Sequence, residues 1–179
     1  LLTEAVCAIQ AVIPLPLQLD TSDPMAMERA MRRYNGKPML NSVSGKAESM
    51  ESVFPLVRKY GGVVVGLTLD EGGIPDTADG RVAIAKKIRD TAAKYGIPAH
   101  DIVIDPLTLT VSSQPDAALV TLEALGRIGP EVGCPTILGV SNVSFGLPQR
   151  ELVNTAFFTM ALQQGLSCAI LNPLSAGMM

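Results

Sequence analysis

Six short apolar runs, each followed by a polar loop and then a helical pattern, constrain this 179-residue chain more than any other feature. They lie at residues 15–19, 38–40, 63–67, 102–104, 136–140 and 168–171. All are rich in Val, Ile and Leu and do not alternate with polar residues, which is how strands covered on both faces of a parallel sheet read. Helical spacing fills the gaps. Asp23-Pro24 reads as an N-cap with proline at the first helical position, followed by Met27, Ala30, Met31 and Tyr34. Met50, Val53, Phe54 and Val57 are stopped by Gly61-Gly62, and Ala85, Ile88, Ala92 and Tyr95 are stopped by Gly96. Another helix opens at Pro115 with Ala118, Leu122 and Leu125. The last opens near Pro148 with Val153, Ala156, Phe157 and Met160, ending at Gly165. A helical stretch over residues 1–12 precedes the first run.

Strands alternating with helices imply right-handed crossovers and a parallel sheet, either open and doubly wound or closed as a (β/α) barrel. No G-x-G-x-x-G follows the first strand, which counts against a dinucleotide fold. A closed barrel needs eight strands. Six runs, no initiator methionine, a start inside a helix and an end just past a strand therefore predict a barrel truncated to about six strand–helix units. The expected single domain, 1–179, is partial, with its first two strands and last helix missing.

Composition narrows the partners. Net charge is −3 with no basic run, so nucleic acid is not the expected partner. No apolar stretch is of membrane-spanning length, and no signal peptide opens the chain. Cys7, Cys134 and Cys168 are far apart and read as small core residues, with a reducing cytoplasm as the expected compartment. His100 reads as a solvated loop side chain. Met25, Met27, Met31 and Met160 read as core and packing residues.

Polar residues cluster where the strands end: Asp20-Thr21-Ser22, Asn41-Ser42, Thr68-Leu69-Asp70, Asp105-Pro106, Ser141-Asn142 and Asn172-Pro173. In a (β/α) barrel these ends open on one face, where active sites sit. This ring of carboxylates and amides has no imidazole or thiolate for a strong metal site and no nucleophile–base pair, so no metal is expected. It suits a neutral heterocycle. A carboxylate accepts two N–H groups from an amino-pyrimidine edge, and an amide both donates and accepts. Plain alternatives stand beside this reading. Asp20 and Asp105 are also placed as N-caps, and Asn41-Ser42 as a turn. Asp23 and Asp79 read as caps only, and Asp70-Glu71-Gly72-Gly73 as a mobile acidic loop.

The strand ends resemble the pterin-binding domain of cobalamin-dependent methionine synthase and of related methyltetrahydrofolate:corrinoid methyltransferases. The run Gly139-Val140-Ser141-Asn142-Val143-Ser144-Phe145-Gly146-Leu147-Pro148, with Arg150 beyond it, carries the resemblance most strongly. Asn154-Thr155-Ala156-Phe157 and Ala169-Ile170-Leu171-Asn172-Pro173-Leu174 continue it. Leu19-Asp20-Thr21, Leu40-Asn41-Ser42 and Ile104-Asp105-Pro106-Leu107 match in order and spacing, so the resemblance covers nearly the whole chain.

The resemblance implies a (β/α)8 barrel of the pterin-binding type with 5-methyltetrahydrofolate as substrate. Asp20, Asn41 and Asp105 would hold the pterin ring, and Gly139 and Ser141 would line the pocket. Arg150 would approach the substrate's polar side, and Asn142 would be the catalytic residue that reaches N5. The methyl group would pass to Co(I) of a cobalamin or other corrinoid carried by another domain or protein. A homocysteine-binding domain in the same full-length chain is a further implied partner. The final methyl acceptor and oligomeric state stay open. Two alternatives remain. One is a dihydropteroate synthase-like pterin enzyme, a family that usually shows G-x-S-R-K where this chain reads Gly139-Val140-Ser141-Asn142-Val143. The other is a non-catalytic fragment of the barrel.

Overall fold

A computed structural model describes residues 1–175 and 177. Its elements run α1 (Leu2–Gln10), β1 (Gln18–Asp20), α2 (Pro24–Met31), β2 (Met39–Ser44), α3 (Ala47–Tyr60), β3 (Val63–Leu67), α4 (Ala78–Lys94), β4 (Ile102–Asp105), α5 (Ala117–Val132), β5 (Ile137–Gly139), α6 (Arg150–Gln163) and β6 (Cys168–Ile170). Strands β1 to β4 pair in sequence order, all parallel, and β5 pairs with β6 in parallel. A parallel bridge between Ile104 and Thr136 joins the two sets, with the Ile104 amide donating to the Pro135 carbonyl at 2.8 Å. The result is a run of six parallel strands in barrel order, each linked to the next through a helix.

The unbroken apolar character of the strands follows from three layers. Leu19, Leu40, Val64, Ile102 and Ile104 face outward, into a core shared with Met27, Phe54, Val57, Ala85 and Ile88 of the helices. Val65, Val103 and Ile137 point the other way and pack with Met39, Val63, Leu67 and Cys168 on the inner face. A third cluster joins Leu138 and Val140 to Leu125, Phe157 and Ala161 under α5 and α6. Each fully buried Ile, Leu or Phe contributes about 1.5–3 kcal/mol. Because both faces of β3 are covered, its Val63-Val64-Val65 run cannot alternate with polar residues.

Helix ends follow local chemistry. The Asp23 carboxylate accepts from the Met25 amide at 2.8 Å, with Pro24 at the first helical position. Gly61 (φ 75°) and Gly96 (φ 76°) close α3 and α4 in the positive-φ region that favours glycine.

Several boundaries differ from the sequence reading. The first strand covers only Gln18–Asp20, not residues 15–19, because Pro14 and Pro16 have no N–H to give a ladder. The second strand runs on to Ser44, so Asn41 is a strand residue and not a turn. Thr77, not Asp79, caps α4, its hydroxyl accepting from the Gly80 amide. Asp79 instead pairs with Arg127 at 2.7 Å. The acidic loop is tied down. Asp70 and Gly73 exchange backbone hydrogen bonds, and Glu71 accepts from the Ala47 amide at 2.9 Å, holding the start of α3. Among the described residues no helix is long and apolar enough to cross a membrane.

Candidate functional site

Strand register places the site. Asp20 lies beside Asn41, Asn41 beside Val65, Val65 beside Val103, and Leu67 beside Asp105. Neighbours in register share a face, and Val65, Val103 and Leu67 belong to the inner cluster. Asp20, Asn41 and Asp105 therefore stand on the inner face. Asp20 and Asp105 are the last residues of β1 and β4, and Asn41 is level with Asp20. Below them the inner face is apolar; at their level it turns polar.

Asp20 and Asn41 form one unit, with the Asn41 amide Nδ2 donating to Asp20 Oδ2 at 3.2 Å. Both line a groove of about 490 Å³, in the size range of small-molecule sites. Its walls continue with the hydroxyls of Thr21, Ser42, Ser44 and Ser49 and with Lys46. Sequence reasoning sets Thr21 and Ser42 among the polar strand ends without giving them a role, and it misses Ser49 and Lys46, although the Ser42-Val43-Ser44-Gly45-Lys46 run carries the signal. Asp105 and Asn142 are not among the groove's lining residues. The groove covers half of the expected ring, and the rest lies along the β4 and β5 ends.

Asp105 does not cap a helix, since α5 starts only at Ala117. Its Oδ1 accepts from the Leu107 amide at 2.8 Å. Burial pushes its carboxyl up to about 6, against the opposing pull of the Leu107 hydrogen bond and the Arg81 charge. Leu107 has φ of 65°, a left-handed conformation that non-glycine residues rarely adopt. Sequence reasoning gives no role to Arg81, which is 1% exposed and heads the largest fully buried side chains. One arginine at helical spacing on α4 offers no signal that it turns inward.

The β5 end also departs from the sequence reading. The strand stops at Gly139, and residues Val140–Ser144 form a 3-10 turn. Asn142 sits on that turn, exposed, not within a strand. Its amide folds back over Gly139, and a Cβ built there would lie 3.0 Å from Asn142 Nδ2. Gly139 is thus the floor beneath the amide. Arg150 opens α6 and is committed to the same turn: Nε donates to Ser144 Oγ and Nη2 to the Ser141 carbonyl, both at 3.0 Å. Its guanidinium also lies 4.7 Å from the Phe145 ring centroid. Arg150 therefore braces the segment that carries Asn142. On the loop after β6, Asn172 Oδ1 accepts from the Leu174 amide at 3.0 Å. No group of three or more His, Cys, Asp or Glu side chains among the described residues is arranged to hold a metal ion.

Residues 2–172 match the family described as pterin binding enzyme. The chain is 30% identical over 176 residues to the methylcorrinoid:tetrahydrofolate methyltransferase of Eubacterium limosum, covering 96% of this chain and 64% of that protein. It is 31% identical over 173 residues to the methionine synthase of Mycobacterium tuberculosis (strain ATCC 25618 / H37Rv), covering 88% of this chain but 14% of that protein. The chain thus spans less than two thirds of either relative, and near-equal identity does not rank the two. Among solved structures, the dihydropteroate synthase of Thermus thermophilus in complex with 4-aminobenzoate superposes with a TM-score of 0.74 at 20% identity, covering 98% of this chain and 75% of that one. The dihydropteroate synthase of Xanthomonas albilineans superposes with a TM-score of 0.72 at 23% identity, covering 98% and 66%. At that identity the superpositions establish the barrel fold.

Proposed function

Because this chain belongs to the pterin-binding enzyme family, we propose that it is a methyltransferase domain that binds 5-methyltetrahydrofolate and moves its N5 methyl group to or from a corrinoid. The observation that carries this reading is the shared inner face of Asp20, Asn41 and Asp105, with Asn142 beyond the end of β5. Two carboxylates and an amide match the donor-rich pyrimidine edge of a pterin, and charge-assisted hydrogen bonds fix such an edge firmly. In a closed barrel the two further strands lie outside these 179 residues on this reading.

The corrinoid, carried by another domain or protein, supplies a cobalt centre that takes or gives the methyl group. This chain's part is to hold the pterin and ease the change at N5. A tertiary amine is a poor leaving group, so N5 must gain a proton or a strong hydrogen bond as its bond to the methyl carbon breaks. The Asn142 amide can rotate so that its oxygen accepts from N5–H once charge develops there. That interaction is realised mainly in the transition state. A hydrogen bond to a charged group is worth about 1.5–3 kcal/mol, roughly 10- to 150-fold in rate. The same contacts serve both directions of transfer, since both pass through one transition state.

A dihydropteroate synthase reading has the barrel likeness in its favour. Against it, position 142 is an amide rather than a cation, and the nearby guanidinium of Arg150 is held by Ser141 and Ser144. The cytoplasm is the proposed location, and a homocysteine-binding domain is a proposed neighbour in the full-length protein. Equilibrium titration with 5-methyltetrahydrofolate, followed by stopped-flow methyl transfer to a Co(I) corrinoid, tests the proposal. Binding and single-turnover transfer are expected. Binding of a dihydropterin pyrophosphate without binding of methyltetrahydrofolate would hand the chain to the synthase reading.

A further inference from the structure

Arg81 is almost fully buried, and its donors reach the segment before α4, the loop after β4 and a hydroxyl on α5. Its Nε donates to the Pro75 carbonyl at 3.1 Å. Its Nη1 donates to the Pro106 and Leu107 carbonyls, both at 2.8 Å, and to Thr121 Oγ1 at 2.9 Å. Thr121 Oγ1 also lies 3.0 Å from the Leu107 carbonyl and 2.9 Å from that of Ala117. Among the described residues, no carboxylate lies within ion-pair distance of Arg81; Asp76 and Asp105 are the acids whose charges it feels.

A buried guanidinium without a paired carboxylate is costly to keep. Arg81 directs its donors at two consecutive carbonyls, and those belong to the residues directly after Asp105. The second, Leu107, is the residue with positive φ, and its amide returns to Asp105 Oδ1. The chain of contact runs from Arg81 through the Leu107 carbonyl and amide to one oxygen of Asp105. A strained residue persists only where its surroundings over-determine it. Here Arg81 and Thr121 do so from the carbonyl side and Asp105 from the amide side.

The geometry points to Arg81 as a positioning residue for the pterin site, which clamps Pro106 and Leu107 so that Asp105 presents its free oxygen to the ligand and balances that carboxylate's charge from behind. The assignment rests on the pterin reading for the ligand's identity. It does not rest on it for the clamp itself. Arg81 from α4 is the charge that Asp105 feels, and Asp76, before α4, is the other acid on Arg81.

The test uses Arg81→Lys, Arg81→Met and the milder Thr121→Val, each with and without Asp105→Asn, in the intact protein. Two readouts are taken between about pH 5 and about pH 8: calorimetric affinity for 5-methyltetrahydrofolate, and carbon NMR titration of the Asp105 carboxyl without ligand. Arg81→Met is expected to move the Asp105 titration upward and to weaken binding about tenfold or more near neutral pH, with recovery as pH rises. Arg81→Lys keeps the charge but not the divergent donors, so affinity falls while the titration moves little. Thr121→Val lowers affinity by a few fold, also without moving the titration. In the Asp105→Asn background these losses shrink, since the positioned oxygen's charge is gone. If Arg81→Met does not fold, Arg81→Lys and Thr121→Val decide. Uniform loss of affinity at every pH, undiminished in the Asp105→Asn background, would mean a purely structural arginine and overturn the assignment. If methyltetrahydrofolate does not bind the unaltered protein, the pterin reading fails. The titration of Asp105 then judges the clamp alone: an unmoved titration in Arg81→Met, or in a poorly folded case an Asp105 signal in Arg81→Lys that broadens no more than in the parent, rejects it.

Discussion

Asn41 donates its side-chain amide to Asp20 across 3.2 Å, joining the end of β1 to the middle of β2 in one polar unit that lines the groove. The arrangement leaves the second Asp20 oxygen and the side-chain amide oxygen of Asn41 to meet a ligand, while the Asn41 backbone carbonyl accepts from the Thr21 amide. It also makes the pair sensitive to a change of one atom.

Asn41→Asp replaces the donor with a second carboxylate at hydrogen-bond distance. Two like charges this close raise the affinity of one of them for a proton. Binding of methyltetrahydrofolate is expected to weaken about tenfold near neutral pH. It should partly recover as pH falls, when a shared proton restores the donor. The Asp105→Asn background removes the confounding titration of Asp105. Calorimetry at two pH values reads the effect, and equal losses at both would contradict it.

Asn142→Ala and Asp105→Asn are expected to separate rate from binding. Losing the amide should slow single-turnover methyl transfer roughly 10- to 150-fold with little change in folate affinity, because its hydrogen bond strengthens only as the methyl leaves. Losing the Asp105 charge should weaken binding and slow transfer together. An Asn142→Ala variant with an unchanged saturated rate and a raised dissociation constant would show that Asn142 only binds.

Gly139→Ala should imitate part of the Asn142 effect without touching that residue. The new Cβ would sit 3.0 Å from Asn142 Nδ2, and the backbone at Gly139 has an ordinary negative φ of −77°. The expected result is a several-fold slower transfer with an unchanged unfolding midpoint. A loss of stability with a normal rate would mean that the strand, not the amide, gives way.

Asp105→Asn should also stabilise the fold near neutral pH. In the folded chain burial raises the Asp105 carboxyl to about 6 from its ordinary 3.8. Between those values the folded state binds more protons than the unfolded state, so this residue's contribution falls as pH rises and is least favourable above about 6. Removing the charge while keeping an acceptor for the Leu107 amide should therefore raise unfolding free energy at about pH 7 by up to about 3 kcal/mol. The gain should vanish near about pH 4, below the folded value and close to the unfolded one. Urea unfolding at both pH values checks this. A destabilised variant at neutral pH would mean that the ionised carboxylate's attraction to Arg81 outweighs its burial.

The sequence by itself determined the strand–helix alternation, the parallel sense of the sheet and the position of Asp20 and Asp105 at strand ends. These features depend on local periodicity and on burial of both strand faces, and both are written into neighbouring residues such as Val63-Val64-Val65. Asp23-Pro24 and Gly61 were legible for the same reason, because caps act within one helical turn. Other features were decided only by tertiary structure. Asp79 looks like a cap until Arg127, far along the chain, offers it a partner. Asn142 reads as a polar residue at the end of a strand, and only the fold puts it on a 3-10 turn that Arg150 braces. Arg81 looks like one more helix-surface charge, and only the folded loop of Pro106 and Leu107 supplies the carbonyls that draw it inside. A side chain's role follows from which groups reach it in the fold, and helical spacing carries no record of contacts such as those of Arg81 with Pro106, 25 positions on, and Thr121, 40 positions on.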